Sequence, residues 1–298
     1  MPSGSHPHRL RDFERAQWWT LLKAMYGRFG EVQITDRAAA LTYYSILSLF
    51  PALLVVVALL ALLGQYPETY ESIVNTLRDA APGTAVDTIN SALRDALSNR
   101  GHAGALLGIG LLLAFYSASG AMGAAMRSLE AINRAEKGRS FLPNLGVRLG
   151  LTALVAVLVL IAFLAVVVAG PLFGAISDAA GFPGFVKGLV GYLRWPIGAL
   201  ALLTAFALVY ALGPEAGPRR GERSLRPVLP GAAVGVVLWF AVSLLFTTYV
   251  SHFGSYDKTY GTLGALISLL IWLWLGNLAF LLGALFNAES QRVRGRGL

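Results

Sequence analysis

Six stretches of this chain are apolar and carry no Asp, Glu, Lys or Arg: residues 38–63, 103–126, 149–173, 195–212, 228–250 and 262–287. An α-helix needs about 20 mainly apolar residues to cross the bilayer hydrocarbon. The expected fold class is therefore all-α: a polytopic membrane protein with six transmembrane helices. Only 13% of the residues are charged, against about 25% in soluble domains, so there is too little polar surface to solvate a globule. The fourth run is the shortest, and Arg194 and Trp195 at its start read as interfacial anchors.

The segments between the runs set the orientation. Of 24 Lys and Arg residues, 18 fall in the N-terminal segment, the second and fourth connections and the C-terminus, and 6 in the alternate connections. Cytoplasmic loops are enriched in Lys and Arg. Both termini are thus expected on the cytoplasmic side. The domain reading is a cytoplasmic segment over residues 1–36, a six-helix membrane domain over 37–290, and a basic cytoplasmic tail over 291–298. The first apolar run follows a charged segment and is longer than a signal-peptide core of about 7–15 residues, so no cleaved signal is expected.

Residues 11–29 read as an amphipathic helix, with Trp18, Leu21, Leu22, Met25 and Phe29 on one face and Arg15, Lys23 and Arg28 kept polar. Such a helix can lie in the headgroup layer or pack beneath the bundle, and the two are compatible. The 65–102 connection reads as two short helices broken at Ala81-Pro82-Gly83, capping the outer side.

Several features bear on function. Gly104 and Gly108, Gly146 and Gly150, Gly170 and Gly174, and Gly231 and Gly235 are GxxxG pairs. They let helix backbones approach closely, either within one chain or at a homo-oligomer face. Pro51 inside the first run removes a backbone donor and clashes with the preceding turn, giving a static kink or a hinge. Thr42, Ser45 and Ser48 share a stripe beside Tyr43, and Asn277 is the amide deep in the last run. These groups either line a polar pathway or bond neighbouring helices and their own backbone. Arg37, Arg127, Glu130 and Glu289 lie near run ends on the cytoplasmic side. There the arginines can meet anionic headgroups or pair with the two carboxylates, Arg127 with Glu130 at i, i+3.

Enzyme signatures are missing. The chain has no cysteine, no HExxH and no GxxxxGK[ST], and no apolar run holds a carboxylate, His or Lys. No cofactor or metal, no catalytic residue, no nucleic-acid partner and no ATP hydrolysis by this chain are expected. Membrane lipids are the expected partners.

Read in order, these residues resemble the YihY/BrkB membrane proteins. The resemblance begins with Thr35-Asp36-Arg37-Ala38-Ala39-Ala40-Leu41-Thr42-Tyr43-Tyr44, running on to Ser48-Leu49-Phe50-Pro51. It continues through Tyr116-Ser117-Ala118-Ser119-Gly120, and then Leu229-Pro230-Gly231-Ala232 with Trp239 and Tyr249. It closes with Phe253-Gly254-Ser255-Tyr256, Tyr260-Gly261-Thr262 and Leu285-Phe286-Asn287-Ala288-Glu289. A Trp is commoner in the family where Tyr116 stands, and a Glu-Leu where Leu285-Phe286 stands. The resemblance covers about residues 30–290. It implies a six-span cytoplasmic-membrane protein linked to virulence and to export of lipids or small solutes. It also carries an older ribonuclease label, for which this sequence offers no carboxylate cluster or metal motif. The functional expectation is a transporter-like protein of lipid or small solute, with a non-transporting envelope scaffold as the alternative.

Overall fold

The computed structural model describes residues 13, 15–62, 100–134, 140–163, 184–214, 225–252 and 262–295, with the side chains at 50–62, 100–107, 163, 184–187, 189–190, 250–252, 262–263 and 265 left aside. Among the described residues there are seven helices and no strand: α1 (Arg15–Glu31), α2 (Ile34–Leu62), α3 (Arg100–Asn133), α4 (Phe141–Phe163), α5 (Gly184–Leu212), α6 (Leu229–His252) and α7 (Thr262–Gly295). Five hold segments long and apolar enough to cross a membrane: Gly108–Asn133, Phe141–Ala162, Gly191–Leu212, Leu229–Tyr249 and Leu266–Arg294. The first predicted span falls on α2. The protein is an all-α, polytopic membrane protein.

The helices outrun the apolar stretches that predict them. Helix α5 is 29 residues long and passes through Pro196, where the sequence starts a span at Trp195. Lys187 and Arg194 interrupt the hydropathy, not the backbone, and a proline is tolerated in a membrane helix whose neighbours re-satisfy the freed carbonyl. The Arg194 guanidinium sits 5.5 Å over the Trp195 ring, a cation–π contact that suits an interfacial anchor. Helix α7 continues beyond Asn287 to Gly295, so the basic tail begins as helix. Pro51 lies within α2. Of the 65–102 connection, expected as two short outer helices, all but residues 100–102 at the start of α3 lies outside the described residues, as do Tyr260 and Gly261.

The chain forms two compact units. One holds Met1–Arg37, Ala125–Phe240 and Leu278–Leu298, and the other Ala38–Ala124 and Ala241–Asn277.

In the first unit, α4 packs along α5, and α5, α6 and α7 meet at glycines. A Cβ on Gly231 would stand 2.3 Å from the Gly283 carbonyl oxygen, and one on Gly283 would stand 2.5 Å from the Gly231 oxygen and 2.9 Å from Gly235 Cα. The α6 and α7 backbones therefore touch, which only glycine permits. The Tyr210 ring of α5 closes the gap. Its hydroxyl donates to the Phe280 carbonyl at 2.5 Å, and its ring stacks with Phe280 and Phe206 at centroid distances of 5.0 and 6.0 Å. The Gly231–Gly235 pair thus packs against α5 and α7 of its own chain.

The start of α6 shows why Asn287 matters. A helix leaves its first N–H groups without intrahelical acceptors, and Val228, just before α6, has no side-chain oxygen to cap them. Leu229 N–H goes back to the Leu225 carbonyl, and Pro230 has no N–H to satisfy. Gly231 N–H donates to Asn287 Oδ1 at 2.8 Å, while Asn287 Nδ2 donates to the Val228 carbonyl at 2.8 Å. Asn287 of α7 is therefore the N-cap of α6, supplied from 56 residues away.

In the second unit, Tyr44 of α2 lies against α3 at Gly120, where a Cβ would be 3.2 Å from the ring. Trp272 of α7 donates from Nε1 to Ser243 Oγ of α6 at 3.1 Å.

Candidate functional site

The second unit carries a groove between α2 and α7. On α2 it is lined by Ala39, Thr42, Tyr43, Ile46 and Leu47, which recur at i, i+3, i+4, i+7 and i+8 and so share one face. On α7 it is lined by Leu266, Leu270, Ile271 and Trp274. Its volume is about 570 Å³, it is open along one side, and its lining is almost wholly apolar. That size lies within the range of about 300–1,000 Å³ typical of ligand clefts.

The polar stripe expected on α2 lies beside the groove. Thr42, Ser45 and Ser48 hydroxyls donate to the Ala38, Leu41 and Ser45 carbonyls of their own helix. This leaves the hydroxyl lone pairs of Thr42 and Ser45 as acceptors, and Asn277 Nδ2 donates to Thr42 Oγ1 at 3.2 Å and Ser45 Oγ at 3.5 Å. The structure brings Thr42, Ser45 and Asn277 together, with Ser48 bonded one turn further on. Tyr43 is exposed along the groove. The hydroxyls bond their own backbone, so the polar cluster is internally satisfied and the groove wall stays apolar. Trp274, Leu270 and Leu266 were not legible as lining. Their spacing from Asn277 on one helix face was the available signal.

The charged residues assemble differently from expectation. Arg28 was expected on the polar face of α1, yet it is buried. Its Nη2 donates to the Ala131 carbonyl at 2.8 Å, and its Nη1 pairs with Glu31 at 2.6 Å. The α3 C-terminus explains this. Its last carbonyls lack intrahelical donors and carry the negative end of the helix dipole. They are covered by Arg28 and by Arg292 Nη2, which reaches the Ile132 carbonyl at 3.4 Å, and one turn back Asn133 Nδ2 adds a bond to the Leu129 carbonyl at 2.8 Å. Arg134 follows with φ 53°, a left-handed C-cap. Its Nη2 lies 3.8 Å from Glu31. The Arg28 guanidinium holds the Glu31 carboxyl below its ordinary range, helped by Arg134 and Arg292.

Glu289 is buried and ion-paired with Arg292 one turn along α7. Of the two alternatives for Arg37 and Arg127, headgroup contact or pairing with the carboxylates, the structure gives Glu289 instead to the nearest guanidinium on its own helix face. Arg37 is half-buried, with Nε donating to the Val32 carbonyl at 2.7 Å across the α1–α2 turn. Arg127 is exposed and Glu130 half-buried. Trp239 is half-buried against Phe240, and Tyr249 is exposed beside Phe246. Among the described residues no group of three or more His, Cys, Asp or Glu could hold a metal ion.

Long apolar helices, five of them with segments able to cross a membrane, and a glycine-mediated helix crossing define a multi-pass helical membrane protein. The chain matches the virulence factor BrkB family over residues 25–297 and belongs to it. It is 32% identical over 90% of its length to the ribonuclease-like protein YfkH of Bacillus subtilis, 94% of which is covered. It is 28% identical to a UPF0761 membrane protein of Pseudoalteromonas translucida, with 95% of this chain and 89% of that one aligned. A UPF0761 membrane protein of Xanthomonas campestris is 27% identical over 96% of this chain and 64% of its own. No solved structure matches the chain.

Proposed function

We propose that this protein is a multi-pass protein of the bacterial cytoplasmic membrane, with six spans and both termini in the cytoplasm, that moves a lipid or small solute without hydrolysing ATP itself. The groove between α2 and α7 carries the reading. It lies on membrane-crossing helices, so the medium that meets it is lipid. Its apolar wall suits an acyl chain, and Thr42, Ser45 and Asn277 offer polar groups alongside. The uneven Lys and Arg distribution favours the stated orientation.

Purified protein in vesicles carrying a fluorescent phospholipid tests this, with the outer leaflet quenched chemically. Exchange between leaflets should be faster than in vesicles holding an unrelated membrane protein, and Ala39→Trp, which fills the groove, should slow it. Exchange at the control rate would refute lipid movement and turn the search to small-solute uptake.

A second reading, a non-transporting scaffold, draws on α4. It is the least buried of the five spans, at 11% against 44% for α7. Nothing lies within 4 Å of a Cβ placed on Gly146 or Gly150, so this GxxxG face is open to another helix, including that of a second copy. Cross-linking through cysteines placed beside Gly150 tests it. Monomer alone would dispose of the self-association version.

A further inference from the structure

We propose that the outward face of α1 is a membrane-surface element: Trp19, Leu22 and Tyr26 lie in the headgroup layer of the bilayer that the span helices cross, with Lys23 and Arg15 against anionic phospholipid headgroups. Helix α1 has three faces. Leu21, Met25 and Arg28, at i, i+4 and i+7, face inward. Leu21 has no exposed surface and packs in a cluster with Phe13 and Phe286, to which Met25, Val234 and Val293 add. Arg28 is 8% exposed and pinned to the α3 C-terminus. That pin and the Leu21 contact fix the rotation of the helix.

With the rotation fixed, Trp19, Leu22 and Tyr26 recur at i, i+3 and i+7 on the outside, 72%, 56% and 86% exposed. Thr20, Gly27 and Glu31, at i, i+7 and i+11, form a separate exposed strip with no large apolar side chain. Two exposed strips of different chemistry on one short helix are what a bilayer boundary selects: one strip for lipid, the other for water. Helix α1 is no span itself, since its 17 residues include Arg15, Lys23, Arg28 and Glu31.

The depth follows from the inward contacts. The α7 residues that pack in this cluster, Phe286 and Val293, straddle the point where the apolar run ends at Asn287 and Glu289, Arg292 and Arg294 begin. At the other end of the helix, the two residues Val32 and Gln33 join α1 to α2. Helix α1 therefore lies level with the boundary between hydrocarbon and water, where Trp and Tyr are enriched. Lys23 sits between the apolar and the polar strip and Arg15 at the helix start, both exposed. A cation held there is attracted to an anionic lipid surface.

This inference does not rest on the transport reading, and neither stands or falls with the other. The chain has no cysteine, so single-cysteine variants can carry a nitroxide without further change. Trp19→Cys, Tyr26→Cys and Gly27→Cys would be labelled in the full chain in vesicles of equal parts phosphatidylcholine and phosphatidylglycerol. Collision rates with oxygen and with a water-soluble nickel chelate are then compared. The labels at 19 and 26 should meet oxygen severalfold more than nickel relative to the label at 27. Equal nickel access at all three sites would overturn the proposal. Shielding of 19 and 26 from both reagents, with broadening between labels, would overturn it in favour of a second copy. Lys23→Gln with Arg15→Gln should raise nickel access at 26 in the phosphatidylglycerol vesicles and leave it unchanged in pure phosphatidylcholine. An identical response in both vesicles would overturn the headgroup part.

Discussion

Replacing Asn287 with Ala removes two hydrogen bonds at once and leaves the partners buried. Gly231 N–H loses its acceptor and the Val228 carbonyl keeps only the Ala232 N–H. Each buried backbone group left short of a partner costs about 1–3 kcal/mol, and a lost N-cap alone about 1 kcal/mol, which overlaps with the first. The carbonyl is still half-satisfied, so its share lies at the low end, and the sum is about 2–4 kcal/mol of stability. Asn277→Ala is the internal control. It removes donation to two hydroxyls that keep their own backbone acceptors. Interhelical hydrogen bonds of that kind average about 0.6 kcal/mol in a membrane protein. Unfolding of the two variants in mixed micelles, followed by SDS titration, should therefore separate them clearly, with Asn287→Ala much the weaker protein. An Asn287→Ala loss below that of Asn277→Ala would refute the assignment of Asn287 as the α6 cap.

The glycines give a matched pair. Gly283→Ala forces a Cβ against the Gly231 oxygen and the Tyr210 hydroxyl at 2.7 Å, an overpacking worth about 1–3 kcal/mol or more; Gly150→Ala meets open space and gains up to about 1 kcal/mol of helix propensity. Thermal unfolding in detergent checks both, and equal behaviour would contradict the backbone contact. Glu31 supplies the pH prediction. Its folded-state pKa is depressed, chiefly by the hydrogen bond from Arg28, so its contribution is present above the ordinary carboxylate range and lost as pH falls through the lowered value. The melting temperature of Glu31→Gln should lie below that of the parent at neutral pH and converge with it in acid. A gap that widens in acid would refute the sign.

Asn287, Arg28 and the GxxxG pairs show where sequence reading stops. The motif that includes Asn287 was legible, but its task was not, because the helix start it caps is 56 residues away. Arg28 was assigned to a polar face on charge alone. Its partner is a carbonyl 103 residues distant, and nothing local to α1 signals that α3 ends there. The four GxxxG pairs are alike as strings. Only contact distances separate Gly231 and Gly235, spent on α7, from Gly146 and Gly150, which stay open. Helix ends were likewise displaced at α5 and α7, because hydropathy tracks what lipid accepts while the hydrogen-bond ladder runs on past it.

The sequence alone determined that this chain is a bundle of membrane-crossing helices and, through the charge pattern, supplied the argument for its orientation. Both follow from one-dimensional quantities, the length of each apolar run and the sign of the charge between runs, because the bilayer reads residues by transfer energy whatever their neighbours. Tertiary structure alone decided which polar groups are spent inside the bundle, which glycines let backbones touch, and that α2 and α7 leave a groove between them. Those depend on distances between residues far apart in the chain, and lipid, equally welcoming to every apolar face, does not dictate which of them pack together.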